Sequence, residues 1–130
     1  MQNTKYKTIA SPDKKIGVGF IKSRKSEDKL MDLAAELIRQ SEDHGIEIID
    51  VIVDQTGGRD VDRGSVDDLA HWIENGRITT VVIRSIFDIT LDLDDLLAFL
   101  LRAEAFGVEV LSMTENFEAA SLPWDGDFLC

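Results

Sequence analysis

Residues 79–101, TTVVIRSIFDITLDLDDLLAFLL, constrain the fold more than any other stretch. Thr80, Val81, Val82, Ile83 and Ile86 form an apolar, largely β-branched run, the pattern of a strand covered on both faces. Thr90 and Asp92 are placed to cap a following helix, and Asp92, Asp94 and Asp95 put negative charge at its positive end. Leu93, Leu96, Leu97 and Leu100 then recur at helical spacing. A buried strand that feeds a helix through a polar elbow is the unit of a parallel α/β fold, whose ligands bind beyond the carboxyl ends of the strands. The elbow, residues 85–91, is therefore a first candidate for a site.

The same unit recurs on either side. Residues 16–21, IGVGFI, read as a first strand whose glycines allow close approach of a neighbour. Ser26 is a candidate N-cap, and Leu30, Leu33, Ala34, Leu37 and Ile38 make one helical face that stops at His44-Gly45. Residues 46–53, IEIIDVIV, form a second strand, and residues 54–64 a polar, glycine-containing loop. Ser65 with Asp68 resembles a capping box ahead of a short helix carrying Val66, Leu69, Ala70 and Ile73, closed by Asn75-Gly76. Phe106-Gly107 ends the third helix, and residues 108–113 are a fourth strand. Residues 115–130 have no clear period, although the turn at Leu122-Pro123-Trp124 is expected to pack an aromatic ring on the body. The order β-α-β-α-β-α-β implies a three-layer α/β domain with a mainly parallel sheet of about four strands and helices on both faces.

With 130 residues there is material for one core. Residues 1–14 are expected to be a flexible basic arm and residues 15–130 a single domain. Seven of the 14 Lys and Arg, but only one of the 25 Asp and Glu, fall in the first 25 residues. The body is thus strongly acidic and repels phosphate backbones, so any direct contact with nucleic acid is expected from the arm. No apolar run reaches the roughly 20 residues of a membrane helix. The single cysteine, Cys130, excludes an intrachain disulfide and fits a reducing, cytoplasmic setting.

Most ligand chemistries find little support. Gly17-Val18-Gly19 is a partial G-x-G with no third glycine, so a phosphate loop is disfavoured. A phosphoacceptor site needs acids after the first strand, where Lys22-Ser23-Arg24 stand instead. Asp60, Asp62, Asp67 and Asp68 lack calcium-loop spacing, and His44 and His71 have no evident partner. Neither a metal nor a small-molecule cofactor is expected.

The loop carries a family likeness. D-x-x-x-G-x-x-x-D-R, here Asp54, Gly58, Asp62 and Arg63, is followed by a short helix, Asn75-Gly76, a buried strand, an elbow and a helix opening with D-L-L. With Phe106-Gly107-Val108 and the late Ser121-x-Pro123, this resembles the catalytic domain of resolvase/invertase-type serine recombinases over roughly residues 15–128. The resemblance implies a resolvase-like fold. It also implies a serine after the first strand that attacks a DNA phosphate to form a 5′-phosphoserine link, with arginines around it. It assigns Ser23, Arg63 and Asp54 to the family's site positions. It further implies that this chain ends where the relatives' long dimer helix and DNA-binding domain begin.

The match fails at the chemistry. The family's Tyr-x-Arg-Val-Ser meets GFIKSRK here, and no ungapped register supplies both arginine and serine. The family's Leu-Asp-Arg-Leu-Gly-Arg falls on residues 86–91, placing Asp88 and Leu91 where arginines belong. Losing phosphate-neutralising groups costs orders of magnitude in rate. The leading expectation is a catalytically inactive, serine-recombinase-like accessory domain of a mobile element. It would pair with a protein partner or a second copy and reach DNA through a partner recombinase, with IFDITL as a contact patch. One alternative is a phosphoryl-transfer enzyme on DNA with Ser23 as nucleophile and Arg63, Lys22 and Arg24 as cations, Arg59, Arg84 and Arg102 being further cations that could rebuild a site. Another is a nucleic-acid-binding module that uses the basic arm.

Overall fold

The computed structural model describes residues 15–55 and 64–120. The chain runs β1 (Lys15–Lys22), α1 (Glu27–Asp43), β2 (Ile46–Asp54), α2 (Gly64–Glu74), β3 (Thr80–Ile83), α3 (Leu93–Ala105), β4 (Glu109–Ser112) and β5 (Glu118–Ala119). A 3-10 turn, Ile86–Asp88, precedes α3, and another, Met113–Glu115, precedes β5. The sheet order is β2-β1-β3-β4-β5. The pairs among β1 to β4 are parallel, and β5 is antiparallel to β4.

Among the described residues the sheet thus holds the four expected parallel strands and, beside them, a short antiparallel fifth. β5 hides in the stretch without a sequence period because it is two exposed residues long, too short for alternation to register. The expected three layers are present. Val18, Phe20, Val81 and Ile83 pack on one face against Val66, Leu69 and Ile73 of α2 and Leu96, Phe99 and Ala103 of α3. Ile21, Val82 and Leu111 pack on the other against Leu30 and Leu37 of α1. β3 is buried at all four residues, as a strand covered on both faces must be.

Local signals differ in detail from the expected ones. β3 ends at Ile83, and Ile86 belongs to the 3-10 turn. Ser26 has extended dihedrals ahead of α1, yet its side chain makes no capping hydrogen bond. α2 already begins at Gly64, so Ser65 lies inside the helix rather than capping it. In α3 the buried positions are Leu96, Phe99 and Ala103, while Leu97 faces outward. Asp92 does cap α3: its carboxylate accepts from the Asp95 amide at 3.0 Å, and Thr90 Oγ1 accepts from the Asp92 amide at 3.1 Å.

One close approach sets the separation of α1 from the sheet. A Cβ on Gly19 would stand 2.6 Å from Leu37 Cδ2, so glycine lets the helix sit directly on β1. β1 and β2 also slip by one residue between Gly17 and Val18, which leaves Ile49 as a bulge on β2.

Candidate functional site

The strand order reverses direction between β1 and β3: from β1 the chain moves outward to β2, then returns to the far side of β1 for β3. At such a switch point the loops leaving the two central strands diverge and open a crevice at their carboxyl ends. Here those loops begin with Lys22-Ser23-Arg24-Lys25 after β1 and Arg84-Ser85 after β3, and Phe20 is paired with Ile83 just below.

Ser23 is half-buried and held by its backbone. Its amide donates to the Asp54 carbonyl at 3.0 Å, continuing the β1–β2 ladder one step beyond the Lys22–Asp54 pair. Its Oγ accepts from the Lys25 amide at 3.2 Å, a local turn that orients the hydroxyl and leaves its proton free to be donated. Asp54, the last residue of β2, is only 2% exposed. Of the three residues singled out from the sequence, Ser23 and Asp54 are thus adjacent through their backbones. Arg63 lies outside the described residues, as do Arg59, Gly58 and Asp62.

Arg84 is the described arginine nearest the switch point in the chain path. Its carbonyl accepts from the Thr114 amide at 3.1 Å and from Ser112 Oγ at 3.4 Å, and Ser112 Oγ lies 2.9 Å from Thr114 Oγ1. This hydroxyl pair fixes the Arg84 backbone from the end of β4; no sequence motif marks it. Arg102 does not join the site. It sits in the last turn of α3, toward the amino ends of the strands, and pairs with Glu74 at the end of α2.

The elbow folds as a 3-10 turn over Ile86–Asp88, with Ser85 Oγ accepting from the Phe87 amide at 3.3 Å. Ile86 and Ile89 turn into the core and Thr90 is fully buried. Phe87 and Leu91 point outward, 43% and 50% exposed. The apolar patch expected over IFDITL is therefore reduced to these two side chains, because Ile86 and Ile89 fill the core beneath them.

In chemical terms the edge offers a positioned hydroxyl, Ser23, with Lys22, Arg24, Lys25 and Arg84 on the adjoining loop residues, a combination suited to an anion. Asp54 and Asp88 on the same edge act against it. Among the described residues there is no group of three or more His, Cys, Asp and Glu side chains that could hold a metal ion. Among them, too, no helix is long and apolar enough to cross a membrane.

This is an α/β domain of the doubly wound type, with its candidate site at the β1/β3 switch. No protein-family model matches the sequence, and no curated protein matches it. Solved structures do. The chain is similar to the N-terminal catalytic domain of TP901-1 integrase, with TM-score 0.66 and 20% identity over 89% of this chain and 88% of that one. It is similar to the C-terminal catalytic domain of ISC1926 TnpA, an IS607-like serine recombinase, with TM-score 0.65 and 18% identity over 75% and 69% of the two chains. It is also similar to the first ORF in transposon ISC1904 from Sulfolobus solfataricus P2, with TM-score 0.62 and 18% identity over 84% and 72%. The fold is that of serine-recombinase catalytic domains.

Proposed function

We propose that this chain is a serine-recombinase-type domain of a mobile element that has lost strand-exchange chemistry and works as an accessory protein-interaction domain. The observation that carries this reading is the elbow. Where the family resemblance calls for two arginines, this chain has Asp88 and the exposed Leu91, beside an exposed Phe87. A carboxylate in place of a guanidinium repels the phosphate that the chemistry must hold, and two outward apolar side chains suit a protein contact better than DNA. The domain acts in the cytoplasm, without a small-molecule cofactor. It pairs with a second copy or an active recombinase and meets DNA through that partner.

A second reading is favoured by the fixed position of Ser23. Its hydroxyl, with Lys22, Arg24, Arg84 and Arg63, would attack a DNA phosphate, forming the Ser Oγ–phosphorus bond and releasing the 3′-hydroxyl strand. The first experiment separates the two. Purified protein is incubated with a suicide DNA substrate from its own genomic neighbourhood, alongside Ser23→Ala and Arg63→Ala. The accessory reading expects no covalent adduct from any of the three folded proteins. An adduct formed by the parent and lost in Ser23→Ala overturns it and establishes a rebuilt active site.

A further inference from the structure

β2 is an edge strand of the sheet. Asp50 and Ile52, paired with Val18 and Phe20, fall on the face that α2 covers. On α2 and just past its end, Asp68, His71, Trp72 and Asn75 recur at three- and four-residue steps and so share one stripe of the helix. The stripe and the two strand residues line a cleft of about 230 Å³. That is below the range of about 300–1,000 Å³ usual for drug-sized ligands, and it suits one long side chain. Trp72 is half-buried and packs against the core, which fixes it as a wall of the cleft. Asp50 is oriented as well: its Oδ1 accepts from the Val51 amide at 2.9 Å, which leaves Oδ2 for a second donor.

We propose that this cleft seats an arginine side chain of a protein partner, its guanidinium paired with Asp50 and Asp68 and lying on Trp72. Charge supports a cation. The cleft is lined by two carboxylates and by no Lys or Arg. The ion pairs among the described residues lie elsewhere, joining Lys15 to Glu109, Arg39 to Glu36 and Asp43, and Arg102 to Glu74. Shape supports arginine over lysine. A planar guanidinium stacks on an indole and spreads its donors to carboxylates on two elements, whereas an ammonium is a compact, strongly hydrated point charge. The lining also supports an arginine within a peptide over the free amino acid. A free amino acid brings its own carboxylate, and two aspartates repel it. Phe87 and Leu91 line no part of this cleft, so the assignment holds whether or not the elbow meets a recombinase.

The test titrates the labelled full chain with the capped tripeptide acetyl-Gly-Arg-Gly-amide, followed by NMR at the Trp72 indole N–H and the amides of residues 50–52 and 68–75. Expected are saturable shifts confined to those positions, and weaker binding of the matched lysine tripeptide and of free L-arginine. Asp50→Asn and Asp68→Asn exchange exposed carboxylates for amides of the same shape, and each should weaken binding about two- to fivefold. Equal shifts from the arginine and lysine peptides, unchanged in both variants, would reduce the effect to diffuse attraction by an acidic body and overturn the proposal. Free L-arginine binding as tightly as the peptide would assign the cleft to an amino acid instead of a partner. Binding seen only in an Arg59→Gln/Arg63→Gln variant would assign it to this chain's own loop, and would overturn a partner's arginine equally.

Discussion

Leu37 of α1 rests on Gly19 of β1 so closely that a single added carbon would stand 2.6 Å from Leu37 Cδ2 and 3.2 Å from its Cδ1. Leu37 is fully buried, so it has little room to withdraw. Overpacking of this kind costs about 1–3 kcal/mol. Gly19→Ala should therefore lower the free energy of urea unfolding by that amount. Combined with Leu37→Ala, the two losses should be less than additive, since each relieves the same contact. Additive losses would mean that α1 does not seat on Gly19.

Asp92 closes the amino end of α3 through the Asp95 amide. Asp92→Ala should cost about 1 kcal/mol, while Asp92→Asn should retain most of the stability, because asparagine accepts the same hydrogen bond. Thermal unfolding of the two variants side by side gives the comparison; equal losses would argue against the cap.

Gly107 ends α3 with φ of 74°, and a Cβ there would meet nothing within 4 Å. The cost of Gly107→Ala is thus conformational alone, about 1 kcal/mol, and Gly107→Asn should cost less because asparagine tolerates the left-handed region. A larger loss in denaturant unfolding would reveal a packing role that the open surroundings do not suggest.

Glu36 has its carboxyl lowered below the ordinary value of 4.5, first by the Gln40 side chain and then by Arg39. A lowered folded value stabilises the protein above the unfolded value, and that stabilisation disappears as pH falls through the folded one. The parent should therefore exceed Glu36→Gln in stability at neutral pH, with the gap closing below about pH 4.5. The site is on the surface, so the gap should be small and should shrink in high salt. A gap unchanged down to pH 3 would contradict the assignment.

Phe87 and Leu91 project from the elbow and bury little. Phe87→Ser and Leu91→Ser should shift stability by no more than about 0.5 kcal/mol. If the elbow is the contact face of the accessory reading, the same changes should abolish co-purification with an active recombinase from the same element. Loss of stability instead would mean that both side chains serve the fold.

Much of this architecture was legible because it rests on local chemistry. The β-branched run at 80–83, the Asp92 cap and the stops at Gly45, Gly76 and Gly107 each specify their own backbone without distant partners, and the last three adopt positive φ. The likeness to recombinase domains was carried by the motif at Asp54, Gly58, Asp62 and Arg63, by the turn at Asn75-Gly76 and by the order of the elements along the chain. The capping box at Ser65 failed because Gly64 already continues the helix inward. β5 was missed because two exposed residues acquire strand geometry only by pairing with Leu111 and Ser112.

The sequence by itself determined the parallel α/β class, the order of the elements, the acidic body and the candidate serine. Tertiary structure alone decided that Ser23 stands against Asp54, that Ile86 and Ile89 turn inward while Phe87 and Leu91 turn out, and that Arg102 at the end of α3 joins Glu74 at the end of α2. The reason is physical. Helix stops, caps and buried strands are set by each residue's own dihedral and hydration preferences. Which side chains meet across a sheet depends on register, and register is fixed only when all the strands pack at once.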